Sequence, residues 1–407
     1  MKINLPPKVR YIINKIYQNN YEAYIVGGCV RDAILGFEPN DYDITTSASP
    51  NTIQEIFKDF KCIETGIEHG TVSVLMEDEI FEITTYRIEG EYKDHRRPDK
   101  VDFTDRLEED LKRRDFTINA MAYNEKKGLI DLFGGKEDLN NKIIKTVGNP
   151  YDRFNEDGLR MIRAIRFSSK LNFTIEKETL KAIYDKSFII NNISLERITD
   201  EFTKIILSDK PENIKYLFET KLLKYLNISN EDNIDKLTQF YNEIIILNKI
   251  NKNLEKRLAL LDYIIEKNNI NCKSFCNELI YSKKVIKNHN IILTLLKNIE
   301  IDHLNKVEIK KILSEVDRNL LEEYLDISGI IYDKEKKVDE IIDILSEIEE
   351  NNECYIIKNL KVNGRDIMSL GYKNKEVGEV LNYLLEIVIE DYTLNKKDVL
   401  IKKIKEI

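Results

Sequence analysis

The stretch Tyr24 to Thr45, YIVGGCVRDAILGFEPNDYDIT, constrains the fold more than any other part of the chain. Tyr24-Ile25-Val26 is an apolar, β-type run that stops at Gly27-Gly28, where two missing Cβ atoms let the backbone bend sharply and approach a ligand. A short helix is expected from about Val30 to Leu35, then a second strand carrying Asp41-Tyr42-Asp43-Ile44. Alternation along that strand sends Asp41 and Asp43 to one face and Tyr42 and Ile44 to the other. Two parallel carboxylates make a poor core and a good divalent-metal site. They repel unless a cation lies between them, and oxygen-only ligation favours a hard ion such as Mg²⁺. Alone, a Gly-Gly turn is usually only a turn, and an Asp-x-Asp is more often a solvated edge than a ligand pair. Together they give a layout for a metal-bound nucleoside triphosphate, with backbone N–H groups at a helix start facing carboxylates on the next strand.

Length and charge bound the rest. At 407 residues the chain exceeds one ordinary domain. No apolar run approaches a membrane span and the N-terminus lacks a signal-peptide core, so the expected location is cytoplasmic. Five scattered cysteines argue against a disulfide framework, and Cys272 and Cys276, one helical turn apart without a second ligand pair, read as packing residues. The net charge of −9 neither suggests nor excludes a nucleic-acid partner, because binding depends on where Lys and Arg cluster.

In chain order, Leu5 to Gln18 is an amphipathic helix with Val9, Ile12, Ile13 and Ile16 on one stripe, and Ser49-Pro50 starts another. Strands follow at Thr71–Met76 and Ile80–Tyr86, where Glu82 is either a third site carboxylate or a solvent-facing residue. The charged segment from Arg87 to Arg106 reads as a mobile loop, with Arg96-Arg97 suited to phosphate or to closure over substrate. In LKRRDFTINAMAY, Arg113, Arg114 and Asp115 precede an apolar, helix-like stretch. The arginines could neutralise a triphosphate or form a solvated helix start, and Asp115 could hold an arginine or a ribose hydroxyl. Asp131 to Leu139 is a loop-to-helix junction.

In FNEDGLRMIRAIRF, helical spacing puts Asp157 and Arg160 on one face, where they could hold each other. An Asp beside an Arg also reads base edges: the carboxylate accepts from an exocyclic amine and the guanidinium donates to ring acceptors. Cytosine and adenine offer that amine, whereas uracil and guanine would face the carboxylate with a carbonyl. Such a pair admits CTP and ATP and rejects UTP and GTP. Further on, Ser194 to Leu207 opens like a capping box, with Arg197 and Glu201 on polar faces and Leu195, Ile198 and Phe202 inward. From Pro211 to about Ile348 the pattern is helical; no His-Asp pair appears among the four histidines, so a metal-dependent phosphohydrolase module is not expected. In the last segment Gly364 and Gly371 bracket a short helix and Gly378 opens another.

GGCVRD followed by DYDIT resembles the nucleotidyltransferase signature of the DNA polymerase β superfamily, in the form found in tRNA nucleotidyltransferases (CCA-adding enzymes) and bacterial poly(A) polymerases. RRDFTINAMAY and EDGLRMIRAIRF resemble that family's later motifs, and the last segment resembles the tail of bacterial class II CCA-adding enzymes. The resemblance implies an α+β chain: a nucleotidyltransferase head over residues 1–145 with a mixed sheet of about five strands, then an all-α neck (146–208), body (209–348) and tail (349–407). It implies CCA addition to the 3′ end of tRNA from CTP and ATP. Asp41 and Asp43 would hold two Mg²⁺ ions, one lowering the pKa of the primer 3′-hydroxyl and one neutralising the triphosphate and leaving pyrophosphate, with Glu82 the further candidate catalytic carboxylate. Gly27, Gly28, Arg31 and Arg114 would bind phosphates, with Asp115 and Asn119 joining the nucleotide site. Asp157 and Arg160 would read the base with Glu156 and Arg163 as neighbours, and Arg365, Lys373 and Lys375 would contact tRNA phosphates. Gly158, where poly(A) polymerases often carry Pro, favours the CCA-adding branch, and the segment after Arg87 is full length, whereas family members that add only the two cytidines have a shortened one there. A poly(A) polymerase or A-adding enzyme is the alternative, and a catalytically silent RNA-binding protein the more distant one.

Overall fold

The computed structural model describes residues 2–90 and 101–406, so Arg96-Arg97 lie outside the described residues. The chain divides into two compact units, Met1–Asp232 with Asn271–Lys273 and Glu278–Ile280, and Asn233–Ile270 with Ser274–Asn277 and Tyr281–Ile407.

The first unit opens with helix α1 (Pro7–Gln18), whose Val9, Ile12, Ile13 and Ile16 are buried as their spacing predicts. Strand β1 (Ala23–Val26) follows, then α2 (Gly28–Ile34), β2 (Ile44–Thr46) and α3 (Pro50–Ile56). Ser49 caps α3 by accepting the Thr52 N–H, and Pro50 occupies the first turn, where its missing N–H costs nothing. Then come β3 (Lys61–Gly66), β4 (Thr71–Met76), β5 (Glu79–Thr85), β6 (Arg87–Glu89), β7 (Val101–Phe103), α4 (Leu107–Lys112), β8 (Met121–Asn124) and β9 (Gly128–Asp131).

Seven strands, rather than about five, form the main sheet in the order β3-β4-β5-β2-β1-β8-β9. The strands not expected are the two edges and β8: β3 is charged and bulged between Ile63 and Gly66, and β9 is short, so neither edge carries a clean alternating pattern. β8 was expected to be helical. Its four residues are all buried, and an apolar run that short does not distinguish the two periods. The expected loop from Arg87 instead begins and ends as an antiparallel ladder, β6 with β7.

Beyond the sheet lie α5 (Gly135–Asn140), β10 (Ile143–Ile144), α6 (Pro150–Glu156), α7 (Leu159–Leu171), β11 (Thr174–Ile175), α8 (Lys177–Lys186) and α9 (Leu195–Ile206). Residues 146–208, expected to be all helical, contain one strand, β11, which pairs in parallel with β10. Ser194 precedes α9 without the expected side-chain cap. Leu195 is exposed, and Glu201 is buried rather than on a polar face, because it neutralises arginines from α7.

In the second unit, helices and 3-10 turns are the only regular elements described. Gly378 sits inside the helix Lys375–Glu390 rather than opening it. Cys272 precedes the helix Phe275–Glu278 that carries Cys276, so the two cysteines do not share a helix. Residues from Cys354 to Ile404 close a hydrophobic core of their own around Ile367, Leu384 and Val388.

The fold also creates a His–Asp pair invisible as a sequence neighbour. His289 Nε2 lies 3.0 Å from Asp262 Oδ2 on the adjacent helix Leu254–Lys267, and Ser274 Oγ donates to the same oxygen. Burial disfavours the imidazolium, but Asp262 outweighs it and raises His289 from 6.5 to about 10. A raised folded-state value means stability that is complete below pH 6.5 and is lost as pH rises through about 10. The unfolding temperature of this unit should therefore fall from pH 6.5 to 10, and His289→Gln should remove that slope. Calorimetry at both ends of the window checks it.

Candidate active site

The site is built at the C-terminal end of β1. Gly27 holds φ +79°, a conformation that L side chains rarely adopt. A Cβ there would stand 3.0 Å from Arg114 Nη1, so the missing side chain makes room for that guanidinium. Val26 N–H donates to the Asp43 carbonyl, and Ile25 pairs with Ile44, which brings the aspartate segment beside the glycine turn.

Asp41 and Asp43 are both exposed, as expected, but they lie on the approach to β2 rather than within it, since pairing starts at Ile44. The parallel register Ile44↔Ile83 sets Glu82 beside Asp43 at the same level of the sheet. Although Asp43 reaches solvent, the protein packed around it weakens its hydration, and this, followed by the charges of Asp41 and Glu82, pushes it above its ordinary value against the pull of Arg114. Among the described residues no group of three or more acidic, His or Cys side chains is drawn together closely enough to hold a metal ion.

Arginines face these carboxylates. A cleft of about 180 Å³ is lined by Asp43, Thr45, Thr84, Arg87, Arg113 and Arg114. Behind it Asp110, fully buried on α4, receives Arg113 Nη2 at 2.8 Å, Arg114 Nη2 at 3.4 Å and the Thr45 hydroxyl at 3.3 Å. Burial alone would raise Asp110; the two guanidiniums bring it below its ordinary value. Sequence reading missed Asp110, although its i, i+3 and i, i+4 spacing to Arg113 and Arg114 was the available signal.

A second network ties the sheet to α7. Arg31 is 4 % exposed, so it lies beneath the glycine turn rather than open to a phosphate. It donates to Asp32 Oδ1 at 2.7 Å and to Asn119 Oδ1 at 2.6 Å. Asn119 donates onward to Asp115 Oδ1, and Arg163 donates to Asp115 Oδ2 from Nε at 3.0 Å and Nη2 at 2.7 Å. Of the two alternatives for Asp115, the structure has it holding an arginine. Burial opposes its charge, but Arg163, Asn119 and Arg160 together lower it to about 2. The Phe167 ring lies under the guanidiniums of Arg31, Arg163 and Arg166, at 5.3, 5.5 and 3.9 Å from its centre.

The Asp157 and Arg160 side chains do not hold each other; the link between the two residues is the Arg160 N–H, which donates to the Asp157 carbonyl at 3.1 Å. Asp157 falls in the extended turn between α6 and α7, where its Oδ1 accepts the Leu159 N–H at 3.0 Å and its Oδ2 accepts Arg197 Nη2 at 2.9 Å. Arg160 turns instead to Glu156 Oε2 at 2.5 Å and to the carbonyls of Arg153 and Arg113, the helix break having separated the pair. Arg365, Lys373 and Lys375 are exposed around the short helix Gly364–Ser369 and the start of Lys375–Glu390.

A family model described as the poly A polymerase head domain matches residues 23–145, and one described as a probable RNA and SrmB-binding site of polymerase A matches residues 172–228. A CCA-adding enzyme of Ligilactobacillus salivarius is 37% identical over 410 residues, spanning 97% of this chain and 95% of its own length. The chain belongs to the CCA-adding enzyme family. The CCA-adding enzyme of Pediococcus pentosaceus is 34% identical, with 98% and 97% covered. The crystal structure of the Bacillus stearothermophilus CCA-adding enzyme in complex with CTP superposes with a TM-score of 0.79 at 29% identity, over 99% of both chains. At 21% identity and a TM-score of 0.65, the Thermotoga maritima CCA-adding enzyme complexed with tRNA shares the fold over 99% of this chain and 96% of its own. The chain is thus a nucleotidyltransferase with the CCA-adding function, of the bacterial class II type, in a superfamily that is typically metal-dependent. No helix among the described residues of this CCA-adding enzyme is long and apolar enough to cross a membrane.

Proposed function

We propose that the chain adds C, C and A in turn to the 3′ end of tRNA from CTP and ATP, without a nucleic-acid template. The primer 3′-hydroxyl oxygen attacks the α-phosphorus, the bond to the β-phosphate bridging oxygen breaks, and pyrophosphate leaves. The observation that carries this reading is the facing of Asp43 against Arg113 and Arg114 across one small cleft, in a chain aligned end to end with CCA-adding enzymes.

The donor set fits Mg²⁺. Asp41 and Asp43 are hard oxygen donors, and Asp43 carries the repulsion of neighbouring carboxylates that a cation would relieve. Bound between them, Mg²⁺ would supply charge neutralisation at the triphosphate and acidify the attacking hydroxyl. Arg114, admitted by Gly27 and backed by Asp110, binds phosphate with Arg113, and Gly28 lets the chain turn away beneath it. Arg31, Asn119, Asp115 and Arg163 keep the floor of the site rigid. Asp157 and Arg160 read the base: two donors fix the Asp157 carboxylate and leave lone pairs for an exocyclic amine. Arg365, Lys373 and Lys375 take tRNA phosphates, with the helical parts acting as neck, body and tail. The separate core of residues Cys354–Ile404 supports that division of the tail.

The test supplies the protein and Mg²⁺ with tRNA transcripts ending at the discriminator base, at C and at CC, with CTP, ATP or both. Addition of C, C and A, stopping there, is the expected result. Adenosine on the CC-ending transcript alone would indicate an A-adding enzyme, a long A tail a poly(A) polymerase, and no incorporation an RNA-binding role.

A further inference from the structure

We propose that Arg197 is a specificity-determining positioning residue: from α9 it holds the Asp157 carboxylate in the plane and place where a base edge is read. The inference rests on the base-reading role proposed for Asp157.

The Asp157 side chain gets little support from its own element. It lies just past the end of α6, in extended backbone with φ −136° and ψ 108°, and its helix-spaced neighbour Arg160 is committed elsewhere. Two donors hold it. The Leu159 N–H at 3.0 Å fixes Oδ1 to the start of α7. Arg197 spans the other side, with Nη2 at 2.9 Å from Oδ2 and Nη1 at 3.5 Å from Oδ1, so one planar fork addresses both oxygens.

α9 is in turn fixed against α7. Four residues beyond Arg197, buried Glu201 lies 2.5 Å from Arg166 Nε and 3.8 Å from Arg163 Nη1. Arg163 is the residue that holds Asp115 beneath the nucleotide site. One helix thus anchors its middle to α7 and presents Arg197 from its first turns. The pair is not sealed in a core, since the Arg197 and Asp157 side chains are 28% and 17% exposed, and a ligand edge can reach them.

An ionised carboxylate only accepts hydrogen bonds, so it welcomes an amine and repels a carbonyl, provided that it cannot rotate away. A bidentate guanidinium blocks that rotation. An ammonium supplies the charge but not the plane, which separates the two parts of the effect.

The experiment is single-turnover incorporation of CTP and of UTP on a tRNA transcript ending at the discriminator base, with full-length protein and Mg²⁺. Arg197→Met should lower the CTP-over-UTP efficiency ratio about 10- to 100-fold, the factor carried by one charge-assisted hydrogen bond. Arg197→Lys should recover CTP incorporation more fully than it recovers the ratio, and its thermal melt should match that of the unsubstituted protein. Equal losses for both nucleotides, or no change, would reduce Arg197 to a bridge between helices and overturn the inference. Asp157→Asn run alongside separates the two levels. If it collapses the ratio while the Arg197 variants keep it, only the present inference fails; if it leaves the ratio intact, the base-reading assignment fails and this one with it.

Discussion

Asp43→Ala is expected to lower nucleotide addition by about 10³-fold, equivalent to roughly 4 kcal/mol of transition-state stabilisation, with little change in folding stability. The two halves of that statement have different origins. Asp43 lies on the approach to β2, exposed, and no hydrogen bond of the sheet depends on its side chain among the described residues. Its charge is attracted by Arg114 and repelled by two further carboxylates, Asp41 and Glu82, so removing it loses one favourable interaction and relieves two unfavourable ones. A purely structural residue would lose stability and activity together. Single-turnover kinetics on a CC-ending transcript, set beside a thermal melt, read both. A variant that retains more than a tenth of the activity would remove Asp43 from the catalytic role.

Asp115→Ala should have the opposite signature, with a large loss of stability and an activity that falls with it. The Asp115 carboxylate accepts from Arg163, from Asn119 and from the Phe116 N–H, and Asn119 in turn holds buried Arg31. Truncation leaves Arg163 with only the more distant carboxylate of Glu201, at 3.8 Å, as counter-charge. Breaking a buried pair from one side costs about 3–5 kcal/mol. Because the Arg163 side chain is 32% exposed, screening brings the expectation to about 2–3 kcal/mol. The pH dependence agrees in sign. Asp115 is lowered from 3.8 to about 2, so its contribution is complete above pH 3.8 and disappears as pH falls through about 2. Urea unfolding at pH 7 and pH 3, on the unsubstituted protein and on Asp115→Ala, should give a difference that narrows in acid.

The parts of the site that could be read from sequence are those whose partners are close along the chain. Gly27-Gly28 and Asp41-x-Asp43 carry their geometry in adjacent residues, and the structure brings them together through the pairing of Ile25 with Ile44. Asp110 was within reach for the same reason, since Arg113 and Arg114 stand one helical turn away. The partner of Asp157 was not: Arg197 lies forty residues on, and no local period announces it. Local reasoning chose Arg160 because a continuous helix would have stacked it on Asp157, but the chain breaks at Asp157-Gly158, with α7 starting at Leu159. Glu201 was misplaced by the same limitation. Carboxylates on an isolated helix belong outside, and the arginines of α7, with Lys204 of the same helix, make burial tolerable. The helix expected after Asp115 became a short 3-10 turn at Thr117–Asn119 and strand β8, because tertiary pairing with β1 decides a run too short to decide for itself.

Asp110 also bears on what happens after chemistry. Arg113 and Arg114 rest on a carboxylate that belongs to the protein, so the cleft arrives at each encounter with part of its positive charge already balanced. With the phosphate-binding role proposed for Arg113 and Arg114, a triphosphate would add to an existing salt-bridged cluster instead of quenching a bare one, and the departing pyrophosphate would leave no isolated guanidinium pair behind. An enzyme that must empty and refill one pocket several times on the same primer is served by such a cushion, because moderate holding of the spent product lets the pocket turn over.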